Sequence, residues 1–110
     1  MAKQVQLLAS YWSIAGGAWP HSEHEYSSYS FEERVRAAAR AGFSGFGIWH
    51  ADLEHTLKTV SLRDMRKILD DHGMVHVELE FLVDWWFKDG ERKAACDARA
   101  RLLLEAAAAL

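Results

Sequence analysis

The chain is poor in several features, and each shortage narrows what it can be. Its 110 residues contain one cysteine, Cys96. A lone thiol closes no disulfide within the chain, so a reducing, cytoplasmic setting is the expectation. There is no run or stripe of Lys and Arg, and the formal net charge is −3. That balance gives no electrostatic footprint for nucleic acid, and none is expected as a partner. The apolar stretches fall far short of the roughly 20 residues a membrane-spanning helix needs. The opening MAKQVQLLAS lacks the apolar core and small-residue cleavage site of a secretory signal.

What remains is half apolar and about a quarter charged, as expected for one globular domain. Five tryptophans are many for this length: Trp12, Trp19, Trp49, Trp85 and Trp86. All fall at or just after predicted strand ends, where parallel α/β proteins place their binding sites.

The most informative stretch is Met74–Trp86, MVHVELEFLVDWW. Val75, Val77, Leu79 and Phe81 alternate with His76, Glu78 and Glu80. Side chains alternate across a strand, so one face is apolar and the other acidic. A strand covered by helices on both faces would be apolar on both. The pattern therefore predicts carboxylates held in an enclosed place, with an aromatic loop following.

Earlier in the chain, Val5–Trp12 reads as a first strand. A long connection, Ser13–Tyr29, holds the only proline, Pro20, and the Gly16-Gly17 pair. Unstructured loops of that length are uncommon and often functional. Ser30 with Glu33 forms a capping box for a first helix, striped by Phe31, Val35, Ala38 and Ala39 and ended by Gly42. Strand two is Phe43–His50, followed by a polar stretch, Ala51–Val60, with room for a helical turn or two. Ser61 and Asp64 open a second helix, striped by Leu62, Met65, Ile68 and Leu69 and ended by Gly73. After strand three, the loop Val83–Gly90 leads to a third helix over about Arg92–Leu110.

The two middle units superpose at an offset of 31 residues: Ser30 on Ser61, Gly42 on Gly73, Phe46 on Val77, Ile48 on Leu79. This is an internal helix–strand repeat, and alternating strands and helices imply a parallel sheet. The offset also assigns faces. Phe46, Ile48, Val77 and Leu79 point toward the helices; Gly47, Trp49, Glu78 and Glu80 point away. In an open doubly wound sheet the second side would be apolar. In a (β/α)8 barrel it is the lumen, which tolerates acids near its C-terminal mouth. The expected fold class is therefore α/β, with residues 1–110 forming a single partial domain. It comprises the N-terminal three β/α units of a (β/α)8 TIM barrel with parallel strands. A barrel needs eight strands, so the chain is expected to be truncated at its C-terminal end. A half-barrel completed by self-association, or a small open α/β domain, are the alternatives.

AAARAGFSGFGIWH, with ILDDHGMVHVELEFL 31 residues on, resembles the opening of the sugar phosphate isomerase/epimerase family. These are xylose-isomerase-like TIM barrels, a superfamily that includes endonuclease IV and inosose dehydratases. The shared pattern is a helix ending in A-G-F, then x-G-hydrophobic-x-hydrophobic, then a second helix ending in Gly before the next strand. It covers roughly Ser30 to Leu110. The resemblance implies a metal-dependent isomerase, epimerase or dehydratase acting on a sugar, polyol or sugar phosphate by proton transfer beside a carbonyl. It implies a divalent ion (Mn, Mg, Co or Zn) in the full-length parent. The ligands in the family come mostly from later strands, so no metal site carries over to these residues and the chain alone is expected to be inactive. The family often has an acid where this chain has Gly47. The alternative within the superfamily is an abasic-site nuclease like endonuclease IV, against which the acidic balance argues. A non-catalytic associating fragment, with exposed strand edges that favour a homo-oligomer, is the third reading.

The candidate catalytic residues are Glu80 and His50. Glu80 lies nearest the mouth of strand three and suits a base, a ligand for substrate hydroxyls, or an ion-pair partner. His50 closes strand two, where an acid–base or metal-binding histidine would sit. The candidate substrate-binding residues are Trp12, Trp49, Glu78 and Trp85, the tryptophans as walls for a sugar ring. Trp86 is an equal choice with Trp85, and rim packing is the plainer explanation for all of them. Glu78 lies deeper and suits an ion pair as well as a substrate. His76, deeper still, reads as a hydrogen-bonded core histidine. The connection Ser13–Tyr29 suits a lid with Trp19 as a plug, and its His21-Ser22-Glu23-His24-Glu25 run matches no metal-ligand spacing. Cys96 reads as a packed thiol. Arg34, Arg36, Arg40, Arg63, Arg66 and Lys67 read as solvated helix faces.

Overall fold

A strand can end where a side chain from elsewhere takes over its hydrogen bonding, and that happens early in this chain. The computed structural model describes residues 2–110. Strand β1 is only Leu8–Ala9, and Tyr11–Ser13 turns into one 3-10 turn. Alternation alone predicts a strand from Val5 to Trp12. Val5 and Leu7 instead lie exposed. The Tyr11 N–H leaves the ladder and donates to Glu80 Oε1 at 3.0 Å, while Ser13 folds back on the Ser10 carbonyl through both its backbone and its hydroxyl.

The two middle units form as their local signals require. Ser30 caps α1 (Phe31–Arg40) in a reciprocal capping box with Glu33. Ser61 caps α3 (Leu62–Asp71) through the Asp64 N–H. Each cap satisfies donors the helix itself cannot, worth about 1 kcal/mol. Gly42 and Gly73 both take positive φ just past the helix ends, where a Cβ would be strained. Strands β2 (Gly45–Ile48) and β3 (His76–Leu79) follow. Two elements lie outside the repeat: α2 (His50–Thr56) and α4 (Gly90–Ala109).

The sheet is parallel, in the order β1-β2-β3. Between β2 and β3 the register pairs Gly45 with His76 and Ile48 with Leu79. Equivalent residues of the two repeats are therefore direct neighbours in space. Ala9, Phe46 and Ile48 face the helices and join Phe31, Val35, Met65 and Leu69 in one buried cluster, with Val77 and Leu79 packed against it. Phe31 meets Phe46 edge-on at 5.4 Å. Each large side chain fully buried here contributes about 1.5–3 kcal/mol. The chain is a mixed α/β protein built on a three-stranded parallel sheet, and no helix among the described residues is long and apolar enough to cross a membrane.

The opposite face of the sheet follows from two glycines. A Cβ on Gly45 would stand 2.9 Å from the Leu8 side chain, and one on Gly47 would stand 2.9 Å from both Glu80 Oε1 and the Tyr11 nitrogen. The middle strand is bare so that side chains from both neighbours can lie across it. His76 likewise spans β2 to reach Gln6 Oε1 at 2.7 Å. His76 and Glu78 are exposed, so this face is not enclosed by the described residues as the alternation of β3 suggested. Nor is His76 a core residue.

Arg34 is a second departure. It is not a solvated helix residue: its side chain is 4% exposed and pairs with Asp52 of α2, 3% exposed, at 2.6 Å. Asp52 also accepts from the Ser27 N–H at 2.9 Å, and the Tyr11 hydroxyl lies 3.4 Å from it while donating to the Glu25 carbonyl at 2.7 Å. Burial, and then the charge of Asp52, hold the Tyr11 phenol protonated far above its ordinary range. This network ties the long connection to the body. Tyr26 adds to it by stacking on His55 at 3.8 Å.

Candidate functional site

Parallel strands deliver their following loops to one end, and the residues after β1, β2 and β3 converge there. Trp12 comes from the 3-10 turn, Trp49 and His50 from the start of α2, and Phe81 and Val83 from the segment after β3. Together they line a cavity of about 620 Å³ that is walled further by Glu25, Trp86 and Arg99. That is within the size range of small-molecule sites. Trp49 lies 5.4 Å from Trp12, 4.4 Å from His50 and 5.1 Å from Phe81, centroid to centroid.

Polar groups in this wall are left without partners. Trp49 is 4% exposed and His50 is 9% exposed. Trp49 Nε1, His50 Nδ1, and Arg99 Nε and Nη1 are all buried with no hydrogen-bond partner among the described residues. A buried donor without a partner costs about 1–3 kcal/mol, so four such atoms around one cavity call for an occupant. Burial, and then the nearby Arg99 charge, push His50 down to about 4, opposed by Glu25. His50 is thus a neutral imidazole at pH 7.

The candidate residues separate into two groups. Trp12, Trp49 and His50 meet in the cavity. Glu80 does not line it. It reaches over Gly47 to the Tyr11 N–H and borders a separate apolar groove with Leu103 and Leu104 of α4. It thereby supports the backbone from which Trp12 projects. Glu78 and Trp85 are exposed and outside the cavity. Trp86, the equal choice with Trp85, lines it. The loop residues Pro20, His21 and Glu25 form one side, so the long connection borders the cavity as a lid would. Trp19 does not plug it and is exposed. Cys96 is buried, as a packed thiol should be.

Arg99 was not legible as a site residue. It stands on α4, where the spacing of Ala95, Ala98, Leu102 and Ala106 suggests an apolar line, yet Ala95 and Ala98 are exposed and the buried residues are Cys96, Leu103 and Ala106, so its direction is decided by packing alone. Among the described residues, no group of three or more His, Cys, Asp and Glu side chains converges as a metal site requires.

No protein-family model matches the chain, and no curated protein matches it.

Proposed function

We propose that the chain forms the first three β/α units of a (β/α)8 barrel of the sugar phosphate isomerase/epimerase kind, and that its strand-end cavity takes a sugar or polyol. The observation that carries this is the cavity itself. It lies at the carboxyl ends of parallel strands, as substrate sites of such barrels do, and its walls are Trp12, Trp49 and His50. Aromatic faces suit the C–H face of a sugar ring, and unpartnered N–H groups suit its hydroxyls. The exact 31-residue register between β2 and β3, with acids opposite the helices, supports consecutive barrel staves.

Within that reading His50, neutral at pH 7, holds or accepts a hydroxyl proton from a bound polyol. Glu80 is a positioning residue through Tyr11. The divalent ion implied by the resemblance finds no group of three or more donor side chains among the described residues, so no step is routed through it, and the chain alone is expected to bind rather than turn over substrate. The test is titration of tryptophan emission with neutral sugars and polyols. Quenching that is lost in Trp12→Ala and weakened in His50→Ala supports the reading; an emission spectrum unmoved by any of them removes it.

A second reading, an associating non-catalytic α/β unit, draws on exposed apolar groups beside β3 and on α4. Val75 and Phe81 are each 64% exposed and Leu104 71%. Sedimentation distinguishes the two: a concentration-dependent dimer with no ligand response favours association.

A further inference from the structure

The cavity polar groups have a sign, and it goes beyond the reading of a sugar or polyol site. Arg99 presents two buried guanidinium nitrogens with no partner, and Trp49 Nε1 is a third buried donor without one. A guanidinium is always charged and donates only. An indole N–H donates only as well. Donors of this kind are satisfied by acceptors, and a cation among aromatic walls is best satisfied by an anionic one. We infer that Arg99 and Trp49 form an oxyanion-binding subsite, which takes the carboxylate or phosphate group of a small ligand whose body lies against Trp12 and Trp86.

Three observations bear on this. Among the described residues Arg99 has no salt-bridge partner, although Lys93 on the same helix pairs with Asp97, and Arg66 and Lys67 of α3 pair with Asp70 and Asp71. This cation lines the cavity with no counter-ion bonded to it among the described residues. Second, His50 beside it is neutral, its protonation suppressed by burial and by Arg99, so its unpartnered Nδ1 serves a hydroxyl or an acid proton and adds no second charge. Third, two carboxylates line the cavity, Glu25 and Asp84, neither of them bonded to Arg99 among the described residues, and Glu25 is already engaged. Its Oε2 accepts from the His21 N–H at 3.0 Å. That bond, with His21 held at positive φ, fixes Glu25 to its own loop and keeps it from neutralising Arg99. Glu25 would also repel a ligand whose anionic group entered the wrong way round, which orients the acid toward Arg99.

The inference is tested by calorimetric titration of the full chain with four probes: inorganic phosphate, acetate, gluconate and sorbitol. Phosphate or the carboxylates bind the wild type, and the tighter of the two identifies the source of the oxyanion. Arg99→Gln weakens that binding by at least about tenfold, the size expected for a lost charge-assisted bond. Arg99→Lys, which keeps the charge, recovers part of it. Trp49→Phe, which keeps the ring and removes the N–H, weakens it several-fold. Circular dichroism of each variant controls for folding, and the Lys and Phe variants keep the test decisive where Arg99→Gln unfolds. The inference is overturned where no anion binds, or where anion affinity is unchanged in Arg99→Gln and Trp49→Phe. Its failure is separable from that of the sugar-site reading. Sorbitol binding with no binding of phosphate, acetate or gluconate above it sinks the oxyanion subsite and keeps the polyol site. Gluconate binding no tighter than acetate keeps the oxyanion subsite and sinks the polyol site.

Discussion

Gly47 is the position where sheet geometry and site geometry meet, and replacing it with alanine is a sharp test of both. Its φ is not in the left-handed region, so alanine costs nothing in backbone conformation there. By unfolded-chain entropy alone Gly47→Ala stabilises, by about 0.4–1 kcal/mol. Against this, the new methyl meets Tyr11 N and Glu80 Oε1 at 2.9 Å and the Ala9 carbonyl oxygen at 3.1 Å. Two of those atoms are backbone, the Ala9 oxygen in β1 and the Tyr11 nitrogen in the turn after it, so the clash cannot be relieved by a rotamer change. Overpacking of this kind costs about 1–3 kcal/mol. Displacing the Glu80 carboxylate from the Tyr11 N–H removes a charge-assisted bond worth about 1.5–3 kcal/mol. The net expectation is a loss of roughly 2–4 kcal/mol. Urea unfolding followed by tryptophan emission reads it as a lower midpoint at constant slope. In a Glu80→Ala background the cost of Gly47→Ala falls by about 1.5–3 kcal/mol, because the displaced bond is already gone and the backbone clash remains. A Gly47→Ala protein within about 0.5 kcal/mol of wild type, or a cost independent of Glu80, refutes the bridging of β3 to β1 across a bare middle strand.

Other perturbations follow from the same contacts. Asp52→Ala strands Arg34 as a buried charge and frees the Ser27 N–H, for a loss of about 3–5 kcal/mol; calorimetric melting measures it, and a small change in melting temperature contradicts the pairing. His50, held at about 4 rather than its ordinary 6.5, binds its proton less readily folded than unfolded. Its contribution to stability is present in full above pH 6.5 and is lost as pH falls toward 4, by at most about 3 kcal/mol and less where water in the cavity screens it. His50→Gln therefore flattens the stability-against-pH curve in that window relative to wild type. Ser30→Ala removes the hydroxyl that accepts the Glu33 N–H and leaves the Ser30 N–H bonded to the Glu33 carboxylate, and Ser61→Ala likewise removes one bond; each is expected at about 0.5–2 kcal/mol by urea melts.

The parts of the fold readable in advance were those encoded by near neighbours. The two serine caps and the two terminal glycines are local signals, and their common spacing carried over into the sheet as its register. The face assignment of Phe46, Ile48, Val77 and Leu79 held for the same reason. What was not readable depended on partners distant in sequence. Val5–Trp12 alternates like a strand, yet it ends early because Glu80 takes the Tyr11 N–H from 69 residues away. Arg34 looked like its neighbours Arg36 and Arg40, and only the arrival of α2 buries it against Asp52. At the site, Trp12, Trp49 and His50 followed from the rule that binding residues sit at strand ends. Arg99 obeys no such rule, since a long helix rich in alanine on all sides gives no hint of which turn meets a cavity. Trp85 and Trp86 are adjacent and both exposed, and only Trp86 lines the cavity, a difference that adjacency in sequence does not reveal.

The five tryptophans carry the most direct readout of the cavity, because each indole N–H gives its own signal in a proton–nitrogen correlation spectrum, assignable by single Trp→Phe replacements. With gluconate or phosphate added, the Trp49 Nε1–H signal is predicted to move furthest, since it alone is a buried donor without a partner. Trp12 and Trp86 shift with it and Trp85 stays in place. A Trp49 signal that does not respond, or a Trp85 signal that moves as much, contradicts a ligand site at the ends of these strands.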